Sequence, residues 1–498
     1  MRPVVTIEQM RVADAKAMAS VGEATLVERA GTAVAHAAVR LLGGGYGHRV
    51  VVVAGPGNNG ADGRVAARLL RRRGARVTVV PPNHDEALPA GADLVIDAAY
   101  GTGFRGTYEA PELAPGVPVL AVDIPSGVAG DTGAVSGRPL GATVTVTFAA
   151  LKPGLIQGEG AELAGRVEVV DIGVEVDEAT AGLIEDDDVA ALLAPRRRSA
   201  HKWESAVAVV AGSPGMEGAS ALCARAAAQA GAGMVRLAVP GSDDGAGGTR
   251  PGPWPLEAVR MPLGADGWAD DVLAVLARCA ALVVGPGLGR HEATAREVRR
   301  LIGRSPVPVI ADADALAALG GAAAARKIVA ESDRAVVFTP HDGEYRAMAG
   351  RAPGEDRLKA ARDLAKQTGA VVLLKGPLTV VASPDGAAAA GGTRPAGGAQ
   401  AGGTPPGGGA EAGGAQGDGA ALSLLSLAGS ARLATAGTGD VLSGIIGAFV
   451  ARGTAPAPAA ALAAHVHGRA AALGAAEGLV ASDLPVLVSR WLSSGAAR

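Results

Sequence analysis

A lone carboxylate stands at the start of an apolar helical pattern in AGTGDVLSGIIGAFVARG, residues 436–453. Gly437, Thr438 and Gly439 precede Asp440, and the apolar residues that follow have helical spacing. A glycine-rich turn before a helix offers unpaired N–H groups and a partial positive charge, which suit an anion. A carboxylate there can accept a proton from a hydroxyl while the N–H groups stabilise a phosphoryl group in transfer to it. The alternative is an aspartate that only stabilises the first helical turn through the helix dipole.

Other polar groups follow strand-like runs in the second half of the chain. Lys375, in LLKGPLTVV, is predicted either to face a nucleotide phosphate or to be an ordinary surface lysine. His341, in TPHDGE, is predicted to contact a ligand. Asp312 and Asp314, in DADAL, are predicted to share a strand face and either to bind magnesium through water or to cap a turn.

The first half has a glycine-rich turn in VVVAGPGNNGADGRVAARLL, between a strand pattern and a helix pattern. Such a turn lets backbone N–H groups approach a phosphate or a ribose, although its spacing differs from the dinucleotide fingerprint. Asn58, Asn59 and Asp62 add side-chain donors and acceptors that a bare turn does not need. The alternative is a polar loop in which Asp62 is the helix N-cap.

Two more strand patterns in the first half end on polar residues. LVIDAAYGTGFRGT ends a strand at Asp97, and LAVDIPSGVAGDTG ends one at Asp123, followed by Ser126. In a doubly wound sheet the carboxyl ends of the strands converge on the ligand crevice. The three polar clusters of the first half therefore predict one binding site.

The elements that would position these residues alternate along the whole chain. Short β-branched runs, apolar on both faces, are separated by alanine-rich helical stretches, which is typical of a parallel sheet covered on both sides. The predicted strands of the first half are 49–55, 76–80, 94–98, 117–124 and 142–148, and those of the second half are 206–212, 234–240, 281–289, 308–316, 335–340 and 370–376.

Length and composition limit the class of protein. The 498 residues exceed what one hydrophobic core usually serves, so we expect at least two domains. A net charge of -3 argues against a nucleic-acid-binding surface. Two cysteines and no long apolar run predict a soluble cytoplasmic protein with no membrane segment. Residues 386–420 contain nothing more apolar than alanine and are predicted to be a disordered surface insertion.

The motifs together resemble those of the bifunctional NAD(P)H-hydrate repair enzymes. The first half carries GPGNNGADG, DAAYGTG and VDIPSG. The second half carries HK at 201–202, AGAGMVR, GPGLG, DADAL, TPHDGE, LLKGPLT and AGTGDVLSGIIGA, in the order of that family. The resemblance covers the whole chain. It implies an α/β protein of two domains, a Rossmann-like three-layer α/β/α epimerase over 1–195 and a ribokinase-like α/β dehydratase over 196–498.

The resemblance also implies an activity. The first domain would interconvert the R and S epimers of hydrated NADH and NADPH, called NADHX and NADPHX. The second would dehydrate the S form with ADP, preferred in the bacterial enzymes, or ATP, by phosphorylating the hydroxyl and then losing phosphate. K⁺ in the epimerase and Mg²⁺ with the nucleotide are the implied cofactors. The partners are small molecules, neither nucleic acid nor membrane, and the oligomeric state stays open.

The family's site residues transfer to matching positions of this sequence. Asp440 and Asp123 would be catalytic, Asp123 as the proton-transfer group of the epimerase. The epimerase substrate site would comprise Asn58, Asn59, Gly60, Ala61, Asp62, Gly101, Thr102, Gly103, Phe104, Arg105, Gly106, Thr107 and Asp123, and the potassium site Asn59, Asp97 and Ser126. The dehydratase substrate site would comprise Ala219, Gly287, His341 and Asp440, and the nucleotide site Lys375, Gly376, Pro377, Leu378, Thr379 and Gly439.

The chain departs from the family pattern at a few motif positions. Ala61 replaces the second glycine of NNGGDG, and HKWESA has Trp203 and Ala206 where HKGxxG has glycines. PHPGE reads PHDGE and GGTGD reads AGTGD, which keeps the polar groups.

Two other functions are compatible with parts of the pattern. A ribokinase-like small-molecule kinase would use the same Gly-Thr-Gly-Asp turn, but it has no need of the first half of this chain. A non-catalytic nucleotide-binding or protein-binding module would not need Asp123 and Asp440 together.

Overall fold

The chain divides into two compact units. Unit 1 comprises Met1–Leu183 with Pro353–Ala360, and unit 2 comprises Ile184–Ala352 with Ala361–Arg498. The predicted domain boundary at 195/196 lies after this division and stays a prediction. The insertion predicted at 386–420 lies outside the described residues. A computed structural model describes residues 1–83, 88–89, 91–177, 179–193, 195–243, 254–384 and 422–494.

Unit 1 consists of short buried strands that alternate with helices. Its third helix begins at Asn58, with Gly57 in an extended conformation as N-cap, so the alternative that made Asp62 the N-cap is wrong. The elements are β1 (Arg2–Val4), α1 (Ile7–Val21), α2 (Glu23–Leu42), β2 (Arg49–Ala54), α3 (Asn58–Arg72), β3 (Arg76–Val80), β4 (Leu94–Ala98), β5 (Tyr108–Glu109), β6 (Val119–Val122), β7 (Gly137–Arg138), β8 (Val144–Phe148), α4 (Gly158–Leu163), β9 (Arg166–Val170) and β10 (Ala181–Leu183).

The core of unit 1 is a six-stranded parallel sheet in the order β3-β2-β4-β6-β8-β9. Its strands are apolar on both faces, as β2 illustrates. Val50 and Val52 pack with residues of α1, α2 and α3, whereas Val51 and Val53 pack with Tyr108 on the opposite face. Burial on both faces explains the continuous valine run of this strand.

Unit 2 repeats the alternation on a larger scale. Its elements are α5 (Asp186–Leu192), β11 (Ala206–Val210), α6 (Glu217–Gln229), β12 (Met234–Val239), β13 (Ala258–Pro262), α7 (Ala269–Leu276), β14 (Ala281–Val284), α8 (Glu292–Arg304), β15 (Val309–Ala311), α9 (Asp314–Leu319), α10 (Ala322–Ala330), β16 (Val336–Phe338), α11 (Asp342–Ala349), α12 (Arg357–Thr368, whose first four residues are assigned to unit 1), β17 (Val371–Leu374), β18 (Thr379–Ala382), β19 (Ser423–Ser426), α13 (Thr438–Ala451), α14 (Pro456–Ala472) and α15 (Leu484–Ser493).

Within unit 2 the strands pair in the order β19-β18-β17-β16-β15-β14-β11-β12-β13. The strands from β17 to β13 are parallel, and β18 and β19 run antiparallel to their neighbours. Helices α6, α13, α14 and α15 bury their apolar residues together with the strands in one core. The predicted fold class, α/β in two units, is confirmed. No helix among the described residues combines the length and the apolar character needed to cross a membrane.

Candidate active sites

A cavity of about 460 Å³ lies where β2, β4 and β6 of unit 1 end. It takes in Asn58, Asn59, Asp62, Gly101, Thr102, Gly103, Phe104 and Asp123, which come from all three predicted clusters. The structure therefore brings these predicted substrate residues together. Residues not named by the sequence also line it, among them Met10, Asp14, Met18, Glu23, Leu26, Tyr100, Phe148 and Lys152.

Five predicted substrate residues do not line this cavity. Gly60 is buried against the preceding turn, and a Cβ atom on it would lie 1.8 Å from the Gly55 carbonyl oxygen. This position thus needs glycine because two backbone segments touch there. Arg105 is exposed and donates to the carbonyl oxygen of Phe104. The other three are Ala61, Gly106 and Thr107.

Asp123 follows β6 in a left-handed backbone conformation, with φ of 65°. Its Oδ1 accepts from Lys152 Nζ at 2.6 Å and from Thr147 Oγ1 at 2.9 Å. The Lys152 ammonium also donates to Thr147 Oγ1 and to the Phe148 carbonyl oxygen, both at 2.9 Å, and only 1% of its side chain is exposed. A strained non-glycine conformation that is held by a buried ion pair is typical of a functional position.

Two further carboxyl groups of the cavity have perturbed pKa values. Burial, followed by repulsion from Asp123, raises the pKa of Asp62 to about 8. Burial also raises the pKa of Asp14; Lys152 opposes that shift and Asp123 adds to it. Asp62 is therefore mostly protonated at neutral pH, beside the ion-paired Asp123.

The three residues predicted to bind potassium lie together. Asp97 is fully buried in β4; its Oδ1 accepts from Ser126 Oγ at 2.6 Å and its Oδ2 from Ser126 N at 2.9 Å. Asn59 Nδ2 donates to the Val122 carbonyl oxygen at 2.7 Å and to that of Tyr100 at 3.2 Å. Ser126 Oγ also lies 3.1 Å from the Tyr100 carbonyl oxygen, which links the two groups. Burial raises the pKa of Asp97, and the hydrogen bonds from Ser126 oppose that shift.

In unit 2 the glycine-rich turn does open a buried helix. Gly437 is the N-cap of α13 with φ of 88°, a conformation that favours glycine, and Asp440 lies in the first turn. Helix α13 is buried from Val441 to Ala451. The helix must therefore stay fixed, and the Asp440 carboxyl is held at its N-terminal end.

Asp440 faces an ion pair between two strand ends. Lys375, after β17, donates from Nζ to Oδ1 of Asp312, after β15, at 2.7 Å. Ser443 Oγ of α13 donates to the other oxygen of Asp312 at 2.7 Å. A Cβ atom on Gly439 would lie 3.4 Å from Lys375 Nζ, so the predicted nucleotide residues Lys375 and Gly439 are neighbours.

The charges around Asp440 set its proton affinity. Burial raises the pKa of Asp440 to about 7, with repulsion from Asp312 and Asp314 adding to the shift and Lys375 opposing it. Asp440 is thus divided between its acid and base forms at neutral pH, which suits a group that accepts and returns a proton.

The prediction that Asp312 and Asp314 share a strand face is wrong. Strand β15 ends at Ala311, and Ala313 takes φ of 51°, so the two carboxylates diverge. Asp314 begins α9 and accepts from the Gly289 N–H at 2.9 Å and from Arg290 Nε at 3.3 Å. Asp312 instead binds Lys375.

The other predicted dehydratase residues occupy neighbouring loops. His341 is the N-cap of α11, where Nδ1 accepts from Gly343 N at 2.9 Å, and 59% of its side chain is exposed. The preceding Pro340 accepts from Lys375 N at 2.9 Å, which ties this loop to the lysine. Gly287 and Ala219 are adjacent, since a Cβ atom on Gly287 would lie 2.9 Å from that of Ala219. Residues 376–378, Gly376, Pro377 and Leu378, connect β17 to β18, which begins at Thr379.

The sequence analysis missed several residues that shape these sites. Lys152 follows an apolar strand in FAALKPGL, and a lone lysine in such a run was the available signal. Ser443 gave no comparable signal, and His467, two residues from His465 on a predicted helix, was predicted only to make a poor metal pair with it. His467 is buried in α14, and burial, with the nearby Lys375 ammonium, lowers its pKa to about 4. It therefore stays neutral beneath the Lys375 site.

The departure HKWESA is accommodated by local contacts. Residues Lys202–Ser205 form a 3₁₀ turn, and the Arg278 guanidinium carbon lies 3.8 Å from the centroid of the Trp203 ring. Ser205 Oγ accepts from the Gly233 N–H at 3.0 Å. The replaced glycine at Trp203 and its neighbour Ser205 thus both have side chains with defined partners.

A second cavity, of about 550 Å³, lies in unit 2 between α6, α15 and residues 473–483. It includes none of the predicted site residues, so the dehydratase site is defined by Asp440, Lys375 and their neighbours rather than by this cavity.

Comparison with known proteins matches both halves of the chain. Residues 207–404 and 418–493 match the family model described as NAD(P)H-hydrate dehydratase. Residues 23–89 and 80–154 match that described as YjeF-related protein N-terminus.

Whole-chain relatives carry both parts. The Mycobacterium leprae protein named bifunctional NAD(P)H-hydrate repair enzyme Nnr is 36% identical, over 99% of this chain and 98% of its own. That of Moorella thermoacetica is 34% identical, over 89% of this chain and 87% of its own. The solved ADP/ATP-dependent NAD(P)H-hydrate dehydratase from Bacillus subtilis, co-crystallized with ATP/Mg²⁺, is 26% identical with a TM-score of 0.45, over 61% of this chain and 95% of its own. The chain therefore belongs to the family of bifunctional NAD(P)H-hydrate repair enzymes.

Proposed function

We propose that the two units act in turn on hydrated nicotinamide cofactors. Unit 1 interconverts the R and S forms of NADHX and NADPHX, and unit 2 converts the S form to NADH or NADPH with ADP or ATP. The observation that carries the proposal is the Asp440 carboxyl at the N-terminus of α13, beside the Lys375–Asp312 pair. This arrangement provides a base for a hydroxyl and positive charge for a phosphoryl group at one place.

The dehydratase residues have distinct roles in this proposal. Asp440 removes the proton from the hydroxyl of the hydrate while that oxygen attacks the terminal phosphoryl group of the nucleotide. The N–H groups at the start of α13 and the Lys375 ammonium stabilise the negative charge of the transferred group. Phosphate then leaves with its oxygen, and loss of a proton from the adjacent carbon restores the double bond.

Mg²⁺ fits this site only as a companion of the nucleotide. Both oxygens of Asp312 and both oxygens of Asp314 already accept hydrogen bonds from protein groups, which leaves Asp440 to bind a hydrated cation through water. Mg²⁺ usually keeps several waters and binds substrate phosphates. When bound, it would neutralise phosphate charge, while the proton of the hydroxyl goes to Asp440.

The test uses the purified S form of NADHX with ADP. The proposal predicts one NADH, one AMP and one phosphate for each hydrate consumed. A stable phosphorylated product, without free phosphate or NADH, would instead identify a small-molecule kinase.

The residues Asn59, Asp97 and Ser126 fit a potassium ion in unit 1. The Asp97 carboxylate is fully buried, and no lysine or arginine among the described residues pairs with it. A buried carboxylate without a cationic partner is costly, and K⁺ would supply the missing charge. Bound there, it would fix the loops after β4 and β6, which line the substrate cavity.

Potassium is expected to raise the unfolding temperature of unit 1, because a ligand that binds only the folded state stabilises it. At 100 times its dissociation constant the gain is about 2.7 kcal/mol. The measurement is thermal unfolding in KCl against choline chloride at equal ionic strength. Asp97→Asn should remove the difference between the salts. Equal unfolding temperatures of the unaltered protein in both salts would refute the potassium site.

A further inference from the structure

Asp62 is a buried carboxyl for which the described part of the chain supplies no partner. Its residue is 5% exposed, it lines the cavity of unit 1, and no described residue donates a hydrogen bond to it. An ionised carboxylate in such surroundings would be costly, since neither a cation nor a donor compensates it. Its environment therefore favours the neutral acid.

Asp123 lines the same cavity but, unlike Asp62, accepts hydrogen bonds from neighbouring side chains. Its Oδ1 accepts hydrogen bonds from Lys152 Nζ and Thr147 Oγ1, and 14% of its side chain is exposed. No described residue donates to its Oδ2, which leaves that oxygen available to a ligand. Because the three hydrogens of the Lys152 ammonium are all donated to protein oxygens, Lys152 acts on a ligand only through Asp123.

Epimerisation of the substrate needs one group that donates a proton and one that accepts a proton. Addition of water to the enamine of a dihydronicotinamide places the hydroxyl on the carbon bonded to the ring nitrogen. Such a carbon is inverted when a base takes the hydroxyl proton, the carbon–nitrogen bond breaks to give an aldehyde, and an acid protonates the nitrogen. Rotation about the adjacent carbon–carbon bond and closure on the other aldehyde face give the second epimer, with both protons returned.

We propose that Asp62 is the general acid and Asp123 the general base of this ring opening, with Lys152 as the positioning residue of Asp123. The assignment rests on the proposed epimerase function of unit 1. It goes beyond substrate binding, the role that the sequence implied for Asp62. A buried carboxyl without a donor beside an ion-paired carboxylate is an arrangement that suits an acid and a base at one site.

The raised pKa of Asp62, about 8, supports this division of roles. The other titratable groups that line the cavity are Asp14, Glu23, Tyr100, Asp123 and Lys152. Of these, Asp123 contributes to the shift of Asp62 by repulsion, after the larger effect of burial. We therefore expect the epimerisation rate to fall as the pH rises above about 8, when Asp62 loses its proton.

The test follows epimer exchange alone, in protein that also carries Asp440→Asn so that unit 2 does not consume the S form. The separated R form of NADHX is the probe, and chromatography measures its approach to the R/S equilibrium. Asp62→Asn is expected to slow this exchange by about 10²- to 10⁴-fold, the usual contribution of general acid catalysis. It should also remove the decline above pH 8, which a merely structural change would not do.

Asp177→Asn is the matched control and should leave the rate unchanged, because Asp177 is an exposed carboxylate of unit 1 that pairs with Lys16 at the surface. Lys152→Met should lower kcat with little change in KM, since Asp123 loses the ammonium that fixes its Oδ1. Retention of both the rate and the alkaline decline in Asp62→Asn would overturn the assignment. No exchange above the spontaneous rate in protein with Asp62 intact would instead overturn the epimerase function itself.

Discussion

Asp440→Asn is expected to lower kcat of the dehydratase by about 10²- to 10⁴-fold, because the hydroxyl of the hydrate loses its base. Asparagine keeps the size of the side chain but accepts no proton at this position. Exchange between the R and S forms should continue, since unit 1 is unaltered. In the unaltered enzyme kcat should rise with pH through about 7, as Asp440 ionises, and level off above it.

Production of NADH from S-NADHX, measured from pH 5.5 to 9, checks this expectation. Asp270→Asn is the matched control, because Asp270 is an exposed carboxylate of unit 2 that pairs with Arg300 at the surface. A kcat of Asp440→Asn within threefold of the unaltered enzyme would contradict the role of Asp440. So would an unchanged rise of kcat near pH 7 in that variant.

Lys375→Met is expected to destabilise unit 2 by about 3 kcal/mol, the lower end of the range for breaking a buried ion pair. Asp312 would keep only the hydrogen bonds from Ser443 Oγ and Ala313 N, in a position where 2% of its side chain is exposed. The same change should weaken nucleotide binding, because the positive charge at the phosphate position is lost.

A double-substitution cycle separates the two effects of Lys375. When Asp312→Asn is added to Lys375→Met, the uncompensated charge disappears, so denaturant unfolding should show most of the stability restored. The KM for ADP should stay high, because the lysine is still absent. If the double variant regained both stability and nucleotide affinity, Lys375 would have only a structural role.

Most strands of the two large sheets could be predicted from the sequence because they are short runs rich in β-branched residues. The bounds 76–80 and 94–98 coincide with β3 and β4. Predictions about single polar residues failed where the backbone turns sharply. The strand containing Ile310 ends one residue before Asp312, and the left-handed Ala313 then separates Asp312 from Asp314.

The candidate sites could be predicted only where a residue lies in a local motif. Asp440, Asp123 and Asp62 lie in glycine-rich turns at strand or helix ends, which a sequence shows. Lys152 does not: its partner Asp123 is 29 residues away in the chain, and the pair becomes visible only when β6 and β8 are adjacent. The proton affinities of Asp62 and Asp440 depend in the same way on burial and on charges from other elements.

If one chain repairs both epimers, it should convert R- and S-NADHX alike to NADH, and the absorbance of the reduced nicotinamide measures this conversion. The purified protein is given an equilibrium mixture of R- and S-NADHX with ADP, magnesium and potassium, and NADH is followed to completion. We expect full recovery of NADH, including the share present as the R form, at a rate higher than spontaneous epimerisation allows. Recovery that stops at the S share, or no recovery with either ADP or ATP, would contradict it.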